Sequence, residues 1–340
     1  MGYKLTPAGL AALLDELVTS RRVFGPVRYA GKGRLAGTDL ITYGPVKGLA
    51  DVVWDARTTF SPKEVFFPVK ESLFYFSHGE ITESALKASE ILETVVFLRA
   101  CDLNAVTRLD KIFLENGPAA DNYYARRRQH THFVLMECQE SFPGCFCVSM
   151  GTNRATGHQA ALRPEGDYYL LQALAEPWLS LGERYGQPAD VEPVWVQKNS
   201  LTVKVPDRVD TSLFQHELWR EYSSRCIACG RCTLSCPTCS CFSVQDIFYR
   251  DNPERGERRR VWASCQIDGF TDMAGGHKVR EDRGERMRFK VLHKIDDFRR
   301  RFGINMCVGC GRCEEVCPEY ISFARCVNTL SQLMNGGAGA

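Results

Sequence analysis

No cysteine occurs before Cys101 in this 340-residue chain and none between Cys147 and Cys226, so all sixteen crowd into two stretches. Met1 to Leu10 lacks an apolar core, and no secretory leader is expected there. No run approaches the roughly 20 uninterrupted apolar residues that a membrane span needs. No G-x-G-x-x-G follows a strand-like run, which leaves nicotinamide binding within the chain unsupported. The net charge of +2 gives no global pull toward nucleic acid or membrane, and no recognised nucleic-acid motif is present. Hydrophobic content of 44% with 25% charged residues is that of an ordinary globular protein. Sixteen cysteines without an export signal argue for metal ligation rather than disulfides, so the chain is expected to be cytoplasmic and reduced.

What is present is a repeated motif. Cys226, Cys229, Cys232 and Cys236-Pro237 form one C-x2-C-x2-C-x3-C-P run, and Cys307, Cys310, Cys313 and Cys317-Pro318 form another. Both read Cys-x-x-Cys-Gly-Arg-Cys-x-x-x-Cys-Pro. Three thiolates within seven residues can hold three irons of one cubane, and in two-cluster ferredoxins the fourth cysteine ligates the other cluster. The expected ligand sets are therefore Cys226, Cys229, Cys232 and Cys317 for one [4Fe–4S] cluster, and Cys307, Cys310, Cys313 and Cys236 for the second. Structural zinc is the alternative, but it takes four ligands, usually as separated cysteine pairs, and fits these dense runs poorly.

The uneven cysteines suggest a mixed α/β (α+β) fold in two parts. Residues 1–205 are expected to form an N-terminal α/β domain and 206–220 a linker. Residues 221–330 would form a two-cluster ferredoxin-like domain with a long insertion between its motifs, and 331–340 a flexible tail. Thr6-Pro7 should open a helix with Leu10, Leu13, Leu14 and Leu17 on one face. Val65–Val69 and Leu73–Phe76 read as short strands. Thr94–Leu98 reads as a strand buried on both faces, Asp102 as a helix cap, and His132–Met136 as a further strand, together a βαβ unit.

Cys101 and Cys138 each follow a strand-like run, and ligands of open α/β sheets gather beyond the carboxyl ends of strands. The Pro143-Gly144 turn can fold Cys145 and Cys147 over the same edge. Cys101, Cys138, Cys145 and Cys147 are accordingly a third candidate [4Fe–4S] site, against the alternative that Cys101 and Cys138 merely pack. Cys239, Cys241, Cys265 and Cys326 are left for supporting contacts around the clusters, although sixteen also divides into four fours and Cys239 or Cys241 could exchange with Cys236. His277 and His293 are expected to be structural, and Gly31-Lys32-Gly33-Arg34 lacks phosphate-loop spacing. The basic stretches Arg255–Arg260 and Arg280–Arg301 read as solvated surface or as a docking face for an acidic redox partner. No residue is expected to be catalytic.

Several segments together resemble a known family. They are Arg99-Ala100-Cys101-Asp102-Leu103-Asn104-Ala105 with Arg108-Leu109-Asp110, Cys145 to Thr152, and Arg225 to Phe242. Gly256 to Arg260, Trp262 to Cys265, Asp272 to His277 and Met306 to Pro318 complete the set. They resemble the iron–sulfur electron-transfer subunits grouped with the beta subunit of soluble sulfhydrogenases, and within that group the A subunits of anaerobic sulfite reductases. The resemblance implies a non-catalytic relay in a cytoplasmic hetero-oligomer. A flavin subunit would oxidise NADH, and a sirohaem subunit would reduce sulfite to sulfide. The alternative is the beta relay of a soluble hydrogenase or sulfur-reducing complex. Neither nucleic acid nor membrane is implied as a partner.

Overall fold

The computed structural model describes residues 1–84 and 92–336. The first part of the chain runs β1 (Gly2–Leu5), α1 (Pro7–Ser20), β2 (Arg22–Tyr29), β3 (Leu40–Pro45), β4 (Lys70–Ser77), β5 (Glu80–Glu83), β6 (Thr94–Leu98), α2 (Ala100–Phe113), α3 (Asn122–Gln129), β7 (Thr131–Met136), β8 (Ala160–Glu165), β9 (Tyr168–Ala173), α4 (Trp178–Tyr185) and β10 (Gln187–Pro188). The second part adds α5 (Arg220–Arg225), α6 (Arg231–Leu234), β11 (Phe242–Phe248), β12 (Arg255–Trp262), α7 (Arg283–Leu292), α8 (Phe298–Phe302), α9 (Arg312–Val316) and α10 (Phe323–Gly336). The fold is mixed α/β, as the patterning indicates.

Eight strands form one sheet in the order β10-β1-β9-β8-β7-β6-β2-β3. Its centre is parallel, β2 with β6, β6 with β7 and β7 with β8. Every residue of β6 is buried, because alternate side chains meet helices on opposite faces. Val95 and Phe97 pack with Leu10, Leu13, Leu14 and Leu17 of α1, whose first turn is capped by the Thr6 hydroxyl accepting from the Gly9 N–H. Val96 and Leu98 pack with Leu103, Val106 and Leu109 of α2. The β6-α2-α3-β7 crossover is the expected βαβ unit, and it carries the chain from Cys101 to Cys138.

A second, antiparallel sheet has the order β11-β12-β4-β5. It joins a hairpin from residues 70–83 to one from 242–262, so its strands come from both sides of the division expected near residue 205. Arg260 of β12 is buried against Glu71 and Asp121. That stretch is thus not solvated throughout. The third core lies among α5, α7 and α10, where Trp219, Tyr222, Met287, Val291, Ile295 and Val327 meet.

Three local expectations fail. Val65–Val69 is not a strand: a 3-10 turn, Pro62–Val65, drops Phe66 and Phe67 into the core, and β4 starts only at Lys70. Asp102 does not cap α2, which starts at Ala100 after Arg99; it lies in the first turn and serves a different partner. Residues 331–336 continue α10 rather than starting a tail, while 337–340 of that expected tail lie outside the described residues.

Candidate iron–sulfur centres

The two cysteine runs fold into matching turns. The third residue of each Cys-x-x-Cys has positive φ, 57° at Ala228 and 62° at Gly309, and its N–H donates to the sulfur two residues back, Cys226 or Cys307, at 3.4 Å. Gly230 and Gly311, with φ of 71° and 70°, then turn the chain into α6 and α9. These are left-handed conformations that glycine adopts at little cost. The helices pack together and bring each fourth cysteine to the other motif.

Cys226, Cys229, Cys232, Cys317 and Pro318 line one cavity. Cys307, Cys310, Cys313, Cys236 and Pro237 line a second. Cys232 and Cys313 each also border the neighbouring cavity, so they form the wall between the two. The first cavity reaches the surface, where Cys229 and Ile227 are exposed; the second is covered by the Phe146 loop, whose N–H donates to the Gly309 carbonyl at 2.8 Å.

Two buried lysines come with these cavities. Lys290 of α7 lines both, and Lys294 lines the second. Among the described residues neither pairs with a carboxylate; Lys294 Nζ donates to Thr238 Oγ1 at 2.6 Å. Burial alone would pull both ammonium groups down. Nearby thiolates outweigh it and hold them above the ordinary lysine range, Cys232 and Cys313 for Lys290, Cys236 and Cys239 for Lys294. Buried cations without acidic partners need an anion, and a cubane on four thiolates is one. A single small ion fits less well: among the described residues no three His, Cys, Asp or Glu side chains converge on one point, whereas a cubane takes one thiolate at each of four iron corners.

The third cysteine set also shares a cavity. Cys101 follows β6 and Cys138 follows β7, adjacent parallel strands, and Cys145 and Cys147 close over them from their loop. Cations and donors face these sulfurs. Arg57 donates to Cys145 Sγ at 3.2 Å, Arg99 approaches Cys138 Sγ at 3.9 Å, and the Asn199 amide lies 3.6 Å from Cys147 Sγ. Burial pushes the free Cys147 thiol up to about 11 despite that amide, and raises Cys101 and Cys138 as well. This cavity abuts the second: Arg57 also donates to the Cys310 carbonyl at 2.9 Å, and Cys145 Sγ lies 3.4 Å from the same oxygen. The donor chemistry of all three cavities suits iron–sulfur clusters.

The other cysteines are distributed differently. A hydrogen bond from Cys239 pulls the thiol of Cys236, the last cysteine of the first motif, well down, and a Cys265 hydrogen bond lowers Cys241 to about 6. Cys326 is fully buried in the α10 core near Tyr222. Lys63 reaches the Cys239 carbonyl at 2.9 Å and lies over the Trp262 ring. His277 is exposed, and His293 stacks on Phe289. Gly31 to Arg34 is the turn between β2 and β3, from which Arg34 donates to the Glu315 carbonyl. Sequence reasoning missed Arg57, Lys290, Lys294 and the roles of Asp102 and Arg312. Lys290 and Lys294 stand among Met287, Val291 and Ile295 at helical spacing, a signal that would have marked them as buried.

The α/β framework and the paired thiol-lined cavities define the class: an iron–sulfur electron-transfer protein. The model of the 4Fe-4S dicluster domain matches residues 225–321, so at least two [4Fe–4S] clusters are present. Sulfhydrogenase 2 subunit beta of Pyrococcus furiosus is 30% identical over 339 aligned positions, covering 92% of each chain. The chain belongs to the family of sulfhydrogenase beta subunits. That relative stands closer to the hydrogenase alternative than to the sulfite reductase that the sequence resemblance put first. No described helix is long and apolar enough to cross a membrane.

Proposed function

We propose that the chain is the electron-relay beta subunit of a hetero-oligomeric hydrogenase or sulfur-reducing complex, working in the reduced cytoplasm. The carrying observation is the series of three adjoining thiol-lined cavities, with Cys145 against the Cys310 carbonyl at one joint and Cys232 and Cys313 forming the wall at the other. In this reading Cys226, Cys229, Cys232 and Cys317 hold the outer cluster. Cys307, Cys310, Cys313 and Cys236 hold the inner one, and Cys101, Cys138, Cys145 and Cys147 a third [4Fe–4S]. The clusters supply one-electron chemistry without bond or proton exchange, within roughly −700 to +450 mV. The protein's own residues ligate, exclude water and set charge, and none acts as an acid or base. Exposed Cys229 makes the outer end the natural point of exchange with a partner, and the Cys138–Cys147 edge the opposite end.

A second reading, the relay of an anaerobic sulfite reductase between a flavin/NADH subunit and a sirohaem subunit, keeps the support of the segments around Cys145–Thr152 and Cys236–Phe242. Anaerobic co-purification with the native partners separates the two. Nickel without sirohaem absorption supports the hydrogenase-type reading, and sirohaem without nickel supports sulfite reduction. Zinc in place of iron and acid-labile sulfide would sink both.

A further inference from the structure

Lys290 and Lys294 lie one helical turn apart and both line the inner cavity, but only Lys290 also lines the outer one. Lys290, in the last turn of α7, lies with Cys232 and Cys313 on the wall shared by both ferredoxin-type cavities. A π turn, His293–Asp297, follows at once and sends Lys294 toward Thr238 beside the inner cavity alone. The same turn presents the Lys294 carbonyl to the N–H groups of Met306 and Cys307 at 2.9 and 3.2 Å, tying it to the first cysteine of the inner motif. A cubane on four thiolates is anionic and gains one further negative charge on reduction, so a fixed cation nearby favours the reduced state. Two such anions in adjoining cavities also repel each other, and a cation on the dividing wall relieves that repulsion whichever side holds the electron.

We propose that Lys290 is a shared counter-charge that raises the reduction potentials of both ferredoxin-type clusters, and that Lys294 raises only that of the inner one. The inference rests on the cluster assignment given under Proposed function. The step it governs is balanced by itself: one electron leaves one cluster and enters the other, with no proton moved and no bond made or broken. Lys63 provides an internal contrast. It is equally buried, yet its ammonium is spent on backbone carbonyls and the Trp262 ring, it lines neither cavity, and burial leaves its pKa lowered.

The test is an EPR-monitored redox titration of the full chain, purified anaerobically, with iron and sulfide counted for each variant. Lys290→Met and Lys290→Gln are expected to lower the reduced-to-oxidised ratio at fixed poise at least tenfold for both clusters, about 59 mV for one electron. Lys294→Met should do so for the inner cluster only. Lys290→Arg, which keeps the charge, should stay within threefold of the parent. Unchanged potentials in iron-replete Met and Gln variants would overturn the proposal, as would an Arg variant shifted as far as the Met variant. Loss of iron from both neutral Lys290 variants would also overturn it, in favour of a role in assembly. A parent chain holding fewer than about eight irons would instead remove the cluster reading itself.

Discussion

Arg312 and Asp102 form a bidentate ion pair sealed from solvent, with Nη1–Oδ1 at 2.6 Å and Nη2–Oδ2 at 2.8 Å. The same guanidinium donates to the Thr58 carbonyl and hydroxyl, and the Tyr43 hydroxyl donates to Asp102. The pair fastens the second cysteine motif to the first turn of α2, one residue beyond Cys101. Its location explains why Asp102 is not a cap: its carboxylate is committed across the fold rather than to its own helix. Arg231, the same residue of the first Cys-Gly-Arg-Cys, is exposed.

That asymmetry predicts unequal mutations. Arg312→Ala leaves a carboxylate buried and unpaired, and should cost about 3–5 kcal/mol. Arg231→Ala should stay within about 0.5 kcal/mol of the parent. Replacing both partners, as Asp102→Leu with Arg312→Met, should recover much of the loss. Denaturant unfolding of the anaerobic protein measures all three; equal losses at Arg231 and Arg312 would contradict the burial argument.

Cys145→Ser should reduce the iron content by about four per chain if the third cavity holds a cubane, leaving about eight in the ferredoxin-type sites. The count is best taken alongside Cys326→Ser, whose sulfur lies in the α10 core and should leave iron unchanged. An undiminished count for Cys145→Ser would remove the third cluster.

Gly309 and Ala228 occupy equivalent positions with positive φ, but their surroundings differ. A Cβ at Gly309 would meet the Phe146 carbonyl oxygen at 2.5 Å and the Cys147 N at 2.7 Å. Gly309→Ala therefore adds a backbone clash to about 1–2 kcal/mol of left-handed strain. It should lower the melting temperature and loosen both cavities that share the Phe146 loop. Ala228→Gly relieves strain while loosening the unfolded chain, and should fall within about 1 kcal/mol of neutral. A well-folded, fully loaded Gly309→Ala protein would argue against the close approach.

His293 supplies a pH dependence. Burial, with Lys294 and Arg280 nearby, pulls its pKa from 6.5 down to about 4. Its folded state resists protonation, so the unfolded chain binds the proton first as pH falls. Stability tied to this group is fully present above 6.5 and declines toward pH 4, by up to about 1.4 kcal/mol per pH unit. Unfolding followed between pH 7 and 5 should be less pH-dependent in His293→Phe than in the parent. An identical slope would show the imidazole to be accessible in the folded protein.

Much of the site is legible from spacing because ligation is a local matter. Seven residues fix three thiolates on one turn, and the matching Gly-Arg-Cys fixes the same turn twice. Alternation and helical period likewise mark β6, β7 and α1, whose partners are simply any apolar face. Phe66 and Phe67 mislead for the same reason: an apolar run reads as strand, yet Pro62 starts a 3-10 turn that buries both rings without strand pairing.

By itself the sequence determined the electron-carrying chemistry, since the two cysteine runs with their glycines and prolines specify cluster-binding turns wherever they fold. It determined too that Cys101 and Cys138 follow strands. Tertiary structure decided which of two identical motifs is buried, because only the second meets the Phe146 loop and Asp102. It also decided that four cysteines spread from 101 to 147 share one cavity beside Cys310, and that two lysines are buried against the ferredoxin-type cavities. Those outcomes depend on which surfaces pack together, and packing between distant segments leaves no periodicity in the chain.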